Sequence, residues 1–111
     1  EISQNEWFNG AKEAVLQWFS YLQKREPQAF IYVQKKLVAQ AKEKDQQVLI
    51  FSMLSYFMQE KRDQALKVGR SPQEMNRQLE LVLQAQQKLT SNVAFQGAAE
   101  QLVLRILNKQ T

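Results

Sequence analysis

Turn-forming residues are scarce in this chain. Gly10, Gly69 and Gly97 are its only glycines, and Pro27 and Pro72 its only prolines, across 111 residues. An all-β fold or a phosphate-cradling glycine loop needs more places where the backbone can reverse or take positive φ. What remains open is a set of long helices. The 18 glutamines spread along the sequence point the same way, because Gln is a good helix former. The length fits one domain, by the usual scale of ~100–200 residues per domain. It also suffices for a core without disulfide or metal staples. The expected architecture is therefore all-α: a single compact bundle of about five helices over residues 1–111, joined by short connections.

Caps and periodicity place the five. The first is expected from Ser3 to Lys24, with Ser3 and Glu6 at capping-box spacing. Trp7, Phe8, Ala11, Ala14, Val15, Trp18, Phe19 and Leu22 form its apolar stripe, and Leu16 lies nearly opposite. The second starts near Pro27, whose fixed φ suits a first helical position, and carries Phe30, Val33, Leu37, Val38 and Ala41. Asp45 is the expected N-cap of a third helix over about Gln46–Val68. From Val48 to Met58 that helix is apolar almost all round, which predicts that other helices surround it. Ser52, Ser55 and Gln59 leave a narrow small or polar strip on it, suited to close helix contact, and Gly69 ends it. Ser71-Pro72-Gln73-Glu74 then combines an N-cap, a first-turn Pro and a capping-box Glu. The fourth helix follows with Met75, Leu79, Val82, Leu83 and Leu89. After Thr90-Ser91-Asn92, with Asn92 as a cap, the fifth buries Phe95, Ala98, Ala99, Leu102, Val103, Ile106 and Leu107. Ten of the eleven aromatics lie before residue 58, so the C-terminal part reads as a Leu/Gln hairpin.

The sequence contains no Cys and no His. That removes Cys–His nucleophiles, a histidine base, disulfides and the usual zinc sites. Ser52 and Ser55 have no histidine partner. Glu60 and Asp63 share a helix face, as an acid–base pair would, but they sit among Lys and Arg in a polar stretch and read as solvated charges. No catalytic, cofactor-binding or metal-ligating residue is expected. The longest apolar run, Val48 to Met58, falls well short of the ~20 residues that span a bilayer, and no signal-peptide pattern is present. The net charge of +4 is carried by scattered positives whose longest runs are pairs, as a soluble domain surface requires. Lys24, Arg25, Lys35 and Lys36, with Tyr21 and Tyr32 nearby for stacking, form the one arrangement that suggests direct nucleic-acid contact.

Leucines that leave their helix's core stripe are more informative. Leu16 and Leu104 do so clearly and Leu81 less sharply. Gly97 lies one helical repeat from Leu104 on the same face, where the missing side chain lets another helix approach. A contiguous exposed apolar patch marks a partner interface. Leu81, Gln101, Leu104 and Arg105 are accordingly the candidate subunit-interface residues.

At this hairpin the chain resembles a known family. The stretch Leu79 to Leu107 is similar to the C-terminal end of the clamp-loader subunits of bacterial DNA polymerase III, above all the delta prime type. The shared pattern is an alanine followed by a basic residue and Leu, then an Asn-Val turn, then a helix with Glu-x-Leu and further leucines. Here these are Ala85, Lys88, Leu89, Asn92, Val93, Glu100, Leu102 and Leu104. Arg62-Asp63 matches a Trp-Arg-Asp-like segment of the family, without its Trp. The motif-bearing stretch covers about a quarter of the chain, and the rest agrees in helix number and length.

The resemblance implies a collar domain. In that family five subunits of related fold pack into a ring through such domains, and ATPase-type modules hang below and open the sliding clamp. The delta prime type is taken as the rigid member without ATP hydrolysis of its own, and gamma/tau carries a related collar. The implied partners are the gamma/tau and delta subunits, with DNA reached only through the complex and no membrane contact. The implied setting is the bacterial cytoplasm, and the first residue, Glu1 rather than Met, is expected to mark a piece of a longer subunit. The competing reading is a basic helical module that binds nucleic acid directly.

Overall fold

The computed structural model describes residues 4–108. Among them the backbone forms five helical elements and no strand, as the turn-residue count predicts. α1 spans Gln4–Gln23. α2 begins as a turn over Gln28–Tyr32, widens into a π-helical segment over Val33–Leu37, and closes with Val38–Gln40. α3 spans Lys44–Lys67, α4 Gln73–Thr90 and α5 Phe95–Leu107. α3 lies between α1 and α4. α5 packs on α4, and α2 closes the bundle against α1 and α5. The radius of gyration is 13.7 Å, near the ~13 Å usual for a chain of this size.

Three helices end in the same way, and the sequence explains only one. Gly69 follows α3 with φ of 75°, and the bonds Gly69 N–H to Leu66 O and Arg70 N–H to Ala65 O complete a Schellman motif. Arg25 and Asn92 take the same left-handed position after α1 and α4, with φ of 56° and 65°. Asn tolerates that conformation; Arg enters it at a cost. Asn92 thus ends α4 instead of capping α5, whose N-cap position is Ala94.

Other starts differ by a residue or by partner. The proposed Ser3–Glu6 box lies outside the described residues at Ser3. α3 is capped by Glu43, not Asp45: the Glu43 side chain and the Gln46 side chain satisfy each other's backbone N–H groups, and Asp45 sits inside the first turn. Ser71 Oγ does accept from the Gln73 N–H, at 3.3 Å. Glu74, however, turns away from the cap and into a polar cluster between helices.

The core is the predicted one along most stripes. Trp18, Phe51, Leu22, Leu37, Ile50, Leu54, Met58, Leu89 and Ile106 are fully buried. Phe51 and Phe95 meet at 5.3 Å between ring centroids, joining α3 to α5. The Trp7 indole donates to the Gln40 carbonyl at 2.7 Å and so fixes the end of α2 to α1. The π-helical segment has no signal in the pattern. Within it the Val38 N–H reaches back to the Val33 carbonyl, five residues away, while Val33 and Leu37 both stay in the core.

Candidate interaction surfaces

Three regions could engage a partner: the α4–α5 face, the lysines of α1 and α2, and the outer side of α3. On the first, Leu104 is 55 % exposed on α5. One turn earlier, a Cβ added to Gly97 would meet no atom within 4 Å, so the face is open there. Gln101 accepts a hydrogen bond from Lys88, and Arg105 donates to Gln84 at 2.6 Å. Both polar members are therefore held in place against α4. Leu81 behaves differently: it is only 8 % exposed and belongs to the core. The reason is that α4 turns a wider stripe inward than expected, burying Gln78, Leu81, Val82 and Ala85 together. Leu81 keeps one edge in a hollow of about 210 Å³ shared with Arg77, Glu80 and Arg105. Leu104, Gln101 and Arg105 form the outward part of the predicted set.

Beneath this face lies a polar staple that sequence reading did not find. Glu74 Oε2 accepts from Arg25 at 2.7 Å, from Gln78 at 2.8 Å and from Arg77 at 3.2 Å. The same two arginines reach on to the end of α5. Arg25 donates to the Ile106 carbonyl at 2.6 Å, and Arg77 donates to the Arg105 and Ile106 carbonyls at 3.2 and 3.0 Å. Gln23 completes the group by donating to Gln78 at 2.7 Å. The last carbonyls of a helix are unsatisfied and carry partial negative charge, so guanidinium donors suit them. Partial burial pushes the Glu74 carboxyl upward. Hydrogen bonds from Arg77, Gln78 and Arg25 and the charge of Arg77 outweigh it, and the pKa is lowered to about 2. The cluster ties the end of α1, the start of α4 and the end of α5 into one junction. These contacts offset the left-handed backbone of Arg25.

The lysine-and-tyrosine arrangement is dispersed by the fold. Arg25 is committed to Glu74 and Ile106. Tyr21 and Tyr32 pack edge to face against each other, 5.6 Å between centroids, and leave no open platform for a base. Burial and the neighbouring Tyr21 raise the pKa of Tyr32. Lys24, Lys35 and Lys36 stay exposed. The carboxylates behave as solvated pairs: Glu60 accepts from the Tyr56 hydroxyl at 3.2 Å and Asp63 from Arg62 at 3.3 Å. Among the described residues no group of three or more acidic side chains is placed to hold a metal ion. None of the described helices is long and apolar enough to cross a membrane.

The largest departure from expectation is on α3. Its all-round apolar half predicts neighbours on every side, yet Leu49 and Tyr56 are 42 % and 56 % exposed, and Val48 is exposed with them. Phe8 of α1 and Leu83 of α4, both assigned to core stripes, are exposed as well. With α1 on one flank and α4 on the other, nothing among the described residues covers the outer side of α3. Two depressions run along it. One of about 540 Å³ lies between α3 and α4 and is lined by Ser52, Ser55, Gln59, Asn76, Leu79 and Leu83 among others. The other, about 360 Å³, lies between α1 and α3 and is lined by Phe8, Lys12, Ser52, Met53, Tyr56 and Phe57. The signal was present in the sequence. A helix apolar on all sides needs more covering helices than a five-helix chain supplies to it.

The chain matches no family model, no curated protein and no solved structure.

Proposed function

We propose that the chain is a non-catalytic subunit-assembly domain, the collar of a bacterial clamp loader of the delta prime type. In this reading it holds its subunit beside gamma/tau and delta in the five-membered ring that loads the sliding clamp during DNA replication, in the bacterial cytoplasm. DNA is met through the complex. The observation that carries the proposal is Leu104: a large apolar side chain, more than half exposed, on an otherwise well-buried helix. It stands within the stretch whose sequence resembles the family. Around it, the open surface at Gly97 and the restrained Gln101 and Arg105 supply the close approach and polar rim of an interface. A heterologous ring needs such a patch on each member.

Leu104→Asp tests the reading. An exposed position tolerates the change within about 0.5 kcal/mol, so the isolated domain should melt as before. Capture of gamma/tau and delta by the variant, without DNA, should fall at least about tenfold, as loss of an interface anchor requires. Undiminished capture sinks the proposal. Salt-sensitive retention of DNA by the domain alone would favour the nucleic-acid reading instead.

A further inference from the structure

We propose that the groove between α1 and α3 receives an amphipathic helix of a partner protein, one that carries acidic residues beside its apolar stripe. This surface is distinct from the α4–α5 face, and the inference does not depend on the assembly reading.

The floor is apolar and continuous. Phe8, Met53, Tyr56 and Phe57 line the central hollow of about 360 Å³. Phe8 also lines the next hollow, about 400 Å³, together with Trp7 and Leu49. In the other direction Phe57 meets Phe19 at 6.1 Å between centroids. From Leu49 to Lys61 a helix rises about 18 Å, or three turns and more. A bound helix uses that span to seat apolar anchors at i, i+3 or i+4, and i+7. Ser52, small and at the centre of the span, lines the hollow without filling it.

Charge selects the occupant. Lys12 is the single charged residue lining the central hollow. Lys61 stands at its end, 5.9 Å from the centroid of the Phe19 ring. Neither has a carboxylate partner among the described residues; Lys61 donates only to the neutral Gln23 amide oxygen, at 3.3 Å. The nearest acidic groups on α3 are engaged or remote: Glu60 accepts from Tyr56, and Asp45 lies past Leu49 in the neighbouring hollow. An apolar floor flanked by two uncompensated cations complements an apolar stripe flanked by carboxylates. A second copy of this chain would bring the same two lysines to the contact, not the carboxylates they lack. A nucleic-acid strand would meet a floor of packed apolar side chains and only two cations, too few for a phosphate track.

The test uses the whole chain and two fluorescein-labelled peptides, identical in their leucine stripe but flanked by glutamates in one and lysines in the other. Fluorescence anisotropy should show the glutamate peptide binding about tenfold tighter than its twin at low salt, the scale of two solvent-exposed charge pairs set against two repulsions. The double variant Lys12→Glu/Lys61→Glu should reverse that preference. Phe8→Asp should weaken the glutamate peptide at least about tenfold. Because Phe8 is exposed, circular dichroism should remain that of the parent; if it does not, Tyr56→Asp replaces it in the test. Absence of binding, equal affinity for the two peptides, or unchanged binding by a folded Phe8→Asp variant would overturn the proposal. So would a concentration-dependent dimer that Phe8→Asp abolishes, because the groove would then belong to a second copy.

Discussion

Trp18→Ala should cost about 3–5 kcal/mol and leave much of the domain unfolded at moderate temperature. Trp18 is wholly buried in the core of α1 and is the largest side chain so placed. Removing the indole opens a cavity larger than a rigid bundle can collapse into. A domain with about 5–15 kcal/mol of total stability has little left after such a loss. A second substitution separates volume from polarity. The Trp18 indole N–H finds no hydrogen-bond partner among the described residues, and an orphaned buried donor costs roughly 1–3 kcal/mol. Trp18→Phe keeps most of the apolar volume and removes that donor, so it should lose clearly less than Trp18→Ala. Chemical denaturation followed by circular dichroism reads both. A Trp18→Ala variant within about 1 kcal/mol of the parent would mean the core is not closed around this ring.

The second large effect is expected at Glu74. Glu74→Ala leaves two guanidinium groups beside each other without their shared carboxylate, and it strips an acceptor from Gln78, itself only 1 % exposed. Loss of a fully buried pair member costs about 3–5 kcal/mol. The Glu74 side chain retains 36 % exposure, so solvent screening reduces the expected value to about 2–3 kcal/mol. The same carboxylate gives a pH signature. Its folded pKa lies below the ordinary 4.5, so the stabilisation is full above about pH 4.5 and is lost as pH falls from there towards 2. Denaturant midpoints of the parent should decline through that window. Glu74→Gln, already without the charge, should show a shallower decline. Parallel acid limbs for the two proteins would remove Glu74 from the account.

Much of the fold was legible because helix periodicity and punctuation agreed. The α5 stripe of Phe95, Ala98, Ala99, Leu102, Val103 and Ile106 is buried as spaced, and Gly69 takes the left-handed position that glycine accepts most readily. Where the reading failed, the missing information was tertiary. Nothing local distinguishes Leu81, which is buried, from Leu83, which is exposed; the choice depends on how α4 rolls between α3 and α5. Asn92 and Glu74 are both good cap residues by type, yet one ends the preceding helix and the other is recruited by arginines from two elements. Arg25 read as a free cation because its acceptors lie 49 and 81 residues away in the chain. The α1–α3 groove was obscured by the assumption that an all-round apolar helix is fully enclosed.

The Arg25–Arg77 junction also bears on the order in which the bundle is completed. The carbonyls that close α5 are served by side chains from the end of α1 and the first turns of α4, so the last helix cannot finish its own terminus. Amide protons in the final turn of α5 should therefore exchange with solvent on the opening schedule of the α1–α4 junction, not by independent fraying. In that sense the C-terminal turn is a gauge of whether the two halves of the chain are joined.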